Sequence, residues 1–183
     1  MRIVMMGPPG SGKGTQGIKV ATAQSVPHIS SGAVLRAGAG AEVLQQMAAG
    51  ELIDDEKITG LIWARLDEPD AARGFVLDGF PRDVAQAGTL DAFLQERGER
   101  LDAVVLLDAP REELLQRMLA RAETEQRLDD NPTTIARRLD VYENETAPLI
   151  ERYAGQGVLR RVDGAGAPEE IAGRLAAALT DRG

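Results

Sequence analysis

The chain of 183 residues has no cysteine and a single histidine, His28. Without thiols there is no disulfide framework and no thiolate zinc site, and one imidazole cannot build a histidine-rich one, so no zinc is expected. Aromatic residues make up only 3% of the chain, too few for the stacking platform on which single-stranded nucleic acid lies. No apolar run reaches the length of a membrane-spanning helix, and no basic segment followed by an apolar stretch marks a secretory leader. The expectation is a cytoplasmic protein without a membrane partner. Positive charge is also scarce: 21 Lys and Arg stand against 29 Asp and Glu, a net charge of −8. Long-range repulsion then opposes encounters with nucleic acid and with anionic bilayers, so any phosphate site must be local. The excess of Arg over Lys, 18 to 3, goes with abundant Ala and Gly as in a GC-rich coding bias; the arginines are therefore weighed by position alone.

What is present suits one globular domain. Hydrophobic residues are 43% and charged residues 27%, near the averages of folded proteins, and the length allows one substantial core. Short apolar runs at 3–6, 75–77, 103–107 and 158–162 predict strands, and a further short strand is expected at 28–30, after Pro27. The segments between them have helical composition, and that alternation is the mark of a parallel sheet wrapped by helices. A helix is expected over 16–25. Further helix starts are signalled by Pro110 with Glu112 and Glu113, by Asn131 and Pro132 as cap and first residue, and by Pro168 with Glu169 and Glu170. Pro148 should kink or end the helix begun at Pro132, and Ala37-Gly38-Ala39-Gly40-Ala41 reads as a flexible turn. Open sheets of this kind bind ligands beyond the C-terminal ends of their strands.

Directly after the first strand comes Gly7-Pro8-Pro9-Gly10-Ser11-Gly12-Lys13-Gly14-Thr15. Glycines at this density suit a backbone that turns tightly and lays its N–H groups against an anion. The helix that follows aims the positive end of its dipole at the same place, and Lys13 adds a full charge. The phosphate-loop pattern G-x-x-x-x-G-K-[ST] is matched through Gly7, Gly12 and Lys13, with Gly14 next and the hydroxyl one place later, at Thr15. After the third strand stands Asp78-Gly79-Phe80-Pro81-Arg82. A carboxylate at a strand end beside a phosphate loop can hold a nucleotide's Mg²⁺, directly or through water, and Arg82 offers a planar fork to phosphate oxygens.

These motifs, with His28-Ile29-Ser30-Ser31-Gly32, Arg36, Gln86 and Arg127-Leu128-Asp129-Asp130-Asn131, make the chain similar to the adenylate kinases from Met1 to about residue 180. The resemblance implies a P-loop kinase fold of five parallel strands flanked by helices, one domain over 1–183, with an AMP-binding flap over 30–53 and a lid over 122–131. It implies reversible transfer of the terminal phosphoryl group of Mg-ATP to AMP, giving two ADP. Mg²⁺ is carried with the nucleotide, and the protein is a monomer. By the same resemblance Gly10, Ser11, Gly12, Lys13, Gly14 and Thr15 hold the ATP phosphates. Arg117 packs on the ATP base, Arg121 contacts its phosphates, and Gly166 meets the base through its carbonyl. Ser31, Arg36, Glu51, Leu52, Ile53, Gly79, Phe80, Pro81, Arg82 and Gln86 resemble the AMP pocket, and Asp78 the carboxylate that positions magnesium through water. Arg127 and Arg138 match the arginines that reach the bridging phosphoryl group. Lys13, Arg82, Arg121, Arg127 and Arg138 are thus the electrostatic catalysts.

The residue chemistry agrees with several of these roles. The Gln86 carboxamide can both donate and accept along an adenine edge, and Arg36 and Arg82 can clamp one phosphate from two sides. Arg117 and Arg121 are four apart and share a helix face, whereas Arg137, next to Arg138, points about 100° away and is expected in solvent. Three departures from the family pattern are visible. Only seven residues separate Arg121 from Asp129, which leaves a short lid. The flap between Arg36 and Leu52 is also trimmed, and Ala33 stands where most relatives carry an acid. The alternatives are a kinase of UMP and CMP on the same short-lid plan, against which Ser31, Gln86 and Asp83 argue, and a noncatalytic nucleotide switch or scaffold.

Overall fold

The computed structural model describes the backbone of residues 1–38, 54–125 and 132–180, and their side chains apart from 121–125, 132, 133 and 145. Five strands, β1 (Arg2–Met6), β2 (His28–Ser30), β3 (Phe75–Asp78), β4 (Ala103–Asp108) and β5 (Leu159–Asp163), form one sheet in the order β2-β3-β1-β4-β5. All four pairings are parallel. The central strands β1, β3 and β4 read as near-continuous apolar runs because helices cover both faces of the sheet. Val4 and Met6 of β1, Phe75 and Leu77 of β3, and Val104 and Leu106 of β4 face one layer; Ile3, Met5, Val76, Val105 and Leu107 face the other. That alternation follows from the period of two along a strand.

The helices are α1 (Lys13–Gln24), α2 (Ser31–Gly38), α3 (Asp55–Leu66), α4 (Val84–Glu96), α5 (Arg111–Glu125), α6 (Pro132–Val141), α7 (Leu149–Gly155) and α8 (Pro168–Thr180). The first layer is closed by Ile58 and Ile62 of α3, Leu90 and Leu94 of α4, and Leu149 and Tyr153 of α7. The second is closed by Val20 and Ala21 of α1 with Ile171 and Leu175 of α8. A third, smaller cluster joins Leu114 and Met118 of α5 to Ile135 and Leu139 of α6.

The strand and helix expectations hold to within a residue or two, with three differences. Helix α1 starts at Lys13, not at residue 16, because Gly12, at φ 89°, serves as its N-cap and Lys13, Gly14 and Thr15 form the first turn. Ala37 and Gly38 belong to α2 and not to a turn, while 39–41 lie outside the described residues. The helix begun at Pro132 leaves α geometry at Val141, seven residues ahead of Pro148. A wide π turn (Tyr142–Thr146) follows, in which Ala147 N–H donates to the Tyr142 carbonyl at 2.8 Å. Pro148 itself is the N-cap of α7, where its missing N–H leaves no bond unmade. Among the described residues no helix is long and apolar enough to cross a membrane.

Candidate active site

The C-terminal ends of β1 and β3 meet where the strand order reverses, and register places Met5 opposite Asp78. Such a reversal opens a crevice between diverging loops. The loop of residues 7–15 fills it. Ser11 N–H donates to the Pro8 carbonyl at 3.1 Å, and the Lys13 Nζ donates to the carbonyls of Gly7 at 2.7 Å and Pro8 at 2.9 Å, so the ammonium lies across the loop. Gly10, at φ +83°, sits so close to α5 that a Cβ there would stand 2.7 Å from the Leu114 carbonyl oxygen and 3.1 Å from Met118 Cγ. Helix α5 therefore rests directly on the cradle, and a side chain at Gly10 is excluded by packing as well as by backbone conformation. Gly12 has no neighbour within 4 Å of an added Cβ.

Asp78 comes to this loop from β3. Its Oδ2 lies 3.4 Å from where a Cβ of Gly14 would be, over the first turn of α1, and 3.7 Å from His28 Nε2. Both side chains are mostly covered, at 14% and 16% exposure. A half-buried carboxylate beside N–H groups of a helix start is a hard-oxygen donor in the right surroundings for a magnesium hydration shell, so the residues fit the metal. The His28 ring fills the space above Gly17, a placement for which only the His-Ile-Ser strand gave a hint.

Arg82 is the most informative cation. Its Nε donates to the Gly79 carbonyl at 2.9 Å, and its own carbonyl accepts from Thr146 Oγ1 at 2.7 Å. Among the described residues its terminal nitrogens take no hydrogen bond and no carboxylate partner. Burial lowers its pKa, the nearby charge of Arg138 lowers it further, and Asp78 opposes both. A desolvated guanidinium with a second one nearby is suited to receive an anion. Arg138 on α6 is half-buried and Arg137 exposed, as the turn angle of a helix predicts.

Ser31 is buried, and its Oγ donates to the Gly79 carbonyl at 2.9 Å, which ties the start of α2 to the Asp-Gly-Phe-Pro-Arg segment. Gln86, also buried, accepts at Oε1 from the Arg82 N–H at 2.8 Å and donates from Nε2 to Asp55 Oδ1 at 2.6 Å. Asp83 caps α4 by accepting from the Gln86 N–H at 2.8 Å. Phe80 and Pro81 are buried beneath this segment. Arg36 is exposed, with its guanidinium back over Gly32. Arg117 and Gly166 do come together: the guanidinium donates to the Gly166 carbonyl at 3.2 Å and to Glu113 Oε1 at 2.5 Å, while the Gly166 N–H donates to the same carboxylate at 3.3 Å. Arg117 lies in the middle of α5.

Glu51, Leu52, Ile53 and Arg127 lie outside the described residues, as do most of the flap and lid spans, and of Arg121 only its helical backbone is described. Sequence reasoning missed Asp55, Glu113 and Thr146. Glu113 had a signal in its spacing of four from Arg117; the other two pair across long stretches of chain and had none.

A phosphate loop, a strand-end carboxylate and a second cluster of cations around a parallel sheet define a P-loop nucleotide-binding protein. The adenylate kinase family model matches residues 5–158. Curated adenylate kinases from Stenotrophomonas maltophilia (strain K279a) and Xanthomonas campestris pv. campestris (strain B100) are each 47% identical over 185 residues, spanning 98% of this chain and 99% of theirs. One from Xanthomonas oryzae pv. oryzae (strain MAFF 311018) is 46% identical over the same shares. The chain belongs to the adenylate kinase family.

Proposed function

We infer that the chain is a phosphotransferase that moves the terminal phosphoryl group of Mg-ATP to AMP, reversibly, giving two ADP. The observation that carries this reading is Arg82, held at Nε by the Gly79 carbonyl, with no carboxylate partner for its terminal nitrogens among the described residues and near enough to Arg138 to feel its charge. A single nucleotide site needs no second anion site; a kinase with a phosphorylated acceptor does.

In this assignment residues 10–15 cradle the ATP phosphates, and Lys13 leaves the Gly7 and Pro8 carbonyls for the transferred group. Arg117, steadied by Glu113, lies on the ATP base against the Gly166 carbonyl, and Arg121 meets the phosphates. Ser31, Arg36, residues 51–53, Gly79 to Arg82 and Gln86 form the AMP pocket, closed by a flap over 30–53. Arg127 and Arg138 reach the bridging phosphoryl group from a lid over 122–131. Carried in with ATP, Mg²⁺ would neutralise phosphate charge, and Asp78 would hold its water shell. No general base is required, because the AMP phosphate is already an anionic nucleophile. Lys13, Arg82, Arg121, Arg127 and Arg138 stabilise charge that builds up on the transferring oxygens, and closure of flap and lid excludes water that would otherwise take the phosphoryl group. The working form is a monomer in the cytoplasm, in keeping with the family resemblance.

The test is to offer AMP, CMP, UMP, GMP and dAMP with Mg-ATP and follow ADP. AMP should exceed CMP and UMP by at least about a hundredfold in kcat/KM, as expected of a pocket that hydrogen-bonds a base edge. Equal turnover of CMP would move the chain to the pyrimidine kinases.

A further inference from the structure

The hydrogen bonds of Gln86 fix which way its amide faces. The Arg82 backbone N–H can only donate, so the atom 2.8 Å from it is the amide oxygen; the Asp55 carboxylate can only accept, so the atom 2.6 Å from it is the amide nitrogen. Turning the amide over would set an NH₂ against an N–H and an oxygen against a carboxylate, two repulsions in a buried place. The amide is thus locked from both ends. Each end keeps one valence to spare: the oxygen a second lone pair, the nitrogen a second hydrogen.

We propose that Asp55 is a positioning residue for base recognition, which locks the Gln86 amide so that it accepts from an exocyclic amino group and donates to the adjacent ring nitrogen, and thereby selects 6-aminopurine over 6-oxopurine monophosphates. The inference rests on the reading of Gln86 as part of the AMP pocket. Adenine presents an amino donor beside a bare ring nitrogen. Hypoxanthine, of nearly the same shape, presents an oxygen beside an N–H, the reverse pattern, which a freely turning glutamine could match and a locked one cannot. Asp55 is suited to the task by its place: it is the first residue of α3, held there by the Asp54 cap, whose carboxylate accepts from the N–H groups of Glu56 at 3.0 Å and Lys57 at 3.1 Å. The carboxylate also lies at a helix N-terminus, where negative charge is favoured.

The experiment compares kcat/KM for AMP and for IMP, with Mg-ATP as donor, in the wild type, Asp55→Asn and Asp55→Ala. Asn can donate or accept at that point, and Ala does neither; both remove one of the two constraints on the amide and leave only the Arg82 N–H to hold it, and neither disturbs the apolar face of α3. The AMP-to-IMP ratio should fall by about tenfold to a hundredfold in each variant, the size of one charge-assisted hydrogen bond. The fall should come through KM, with IMP improving as AMP worsens, while the KM for ATP stays put. A change in AMP and IMP kinetics in parallel, worse or better, overturns the proposal, because a merely structural contact or a latch displaced by any nucleotide would act on both alike. A wild type that fails to distinguish AMP from IMP overturns the reading of Gln86 and the proposal with it; a wild type that distinguishes them, with variants that do so equally well, overturns the role of Asp55 alone.

Discussion

A methyl group added at Gly10 tests whether the cradle is built by packing as well as by its ligand. The residue has φ +83°, a region that costs an L-residue about 1–2 kcal/mol. The new Cβ would stand 2.7 Å from the Leu114 carbonyl oxygen, a backbone atom of α5 that cannot swing away. Overpacking of that kind adds about 1–3 kcal/mol. For a chain of this size each kcal/mol lowers Tm by roughly 2–4 °C, so Gly10→Ala should melt about 5–15 °C below the wild type without any nucleotide present. Gly173, in α8 with nothing within 4 Å of an added Cβ, is the control. There Ala removes backbone freedom from the unfolded chain and should stabilise by about 0.5–1 kcal/mol. Thermal unfolding followed by far-ultraviolet circular dichroism reads both. A Gly10→Ala variant that melts with the wild type would refute the claim that α5 rests on the loop, and would leave the phosphate as the sole reason for glycine at this position.

Arg138→Ala should lower kcat by about a thousandfold or more with little change in KM, as for other arginines that meet a transferring phosphoryl group, whereas Arg137→Ala, exposed on the other side of the turn, should leave steady-state kinetics near wild type; comparable losses would overturn the assignment of faces on α6. Ala33 is exposed in the first turn of α2, and an acid there should help order the metal's waters. Outer contacts of this kind change metal affinity by about 10 to 100-fold, and at a site open to solvent before closure the low end is expected. Titrating activity with free Mg²⁺ should therefore show Ala33→Asp half-saturating at several-fold lower metal; superimposed curves would remove position 33 from the metal site.

The parts of the protein legible in the sequence are those whose causes are local. The central strands β1, β3 and β4 could be read because each is a short apolar run buried on both faces, and the phosphate loop because glycine spacing, Lys13 and the helix start follow one another within nine residues. The opposite faces of Arg137 and Arg138 follow from the helical turn alone. What could not be read depends on distant partners. The Asp55 to Gln86 bond spans 31 residues and Thr146 to Arg82 spans 64, so no periodicity announces either. The first turn of α1 was hidden for the opposite reason: glycines at 12 and 14 read as loop, yet the cap at Gly12 and the phosphate-facing N–H groups require helix there. Pro148 was expected to break a helix, but the wide turn at Tyr142–Thr146 ends it first, a register change that composition does not encode.

The central claim is that two nucleotides are held at once and exchange one phosphoryl group. Phosphorus NMR of Mg-ATP with the enzyme, before and after AMP is added, measures this directly. The account predicts that ATP stays intact alone, and that AMP addition converts both nucleotides to ADP, two ADP for each AMP consumed, with no inorganic phosphate. Inorganic phosphate accumulating at a rate indifferent to AMP, or bound nucleotide that never changes, would contradict it.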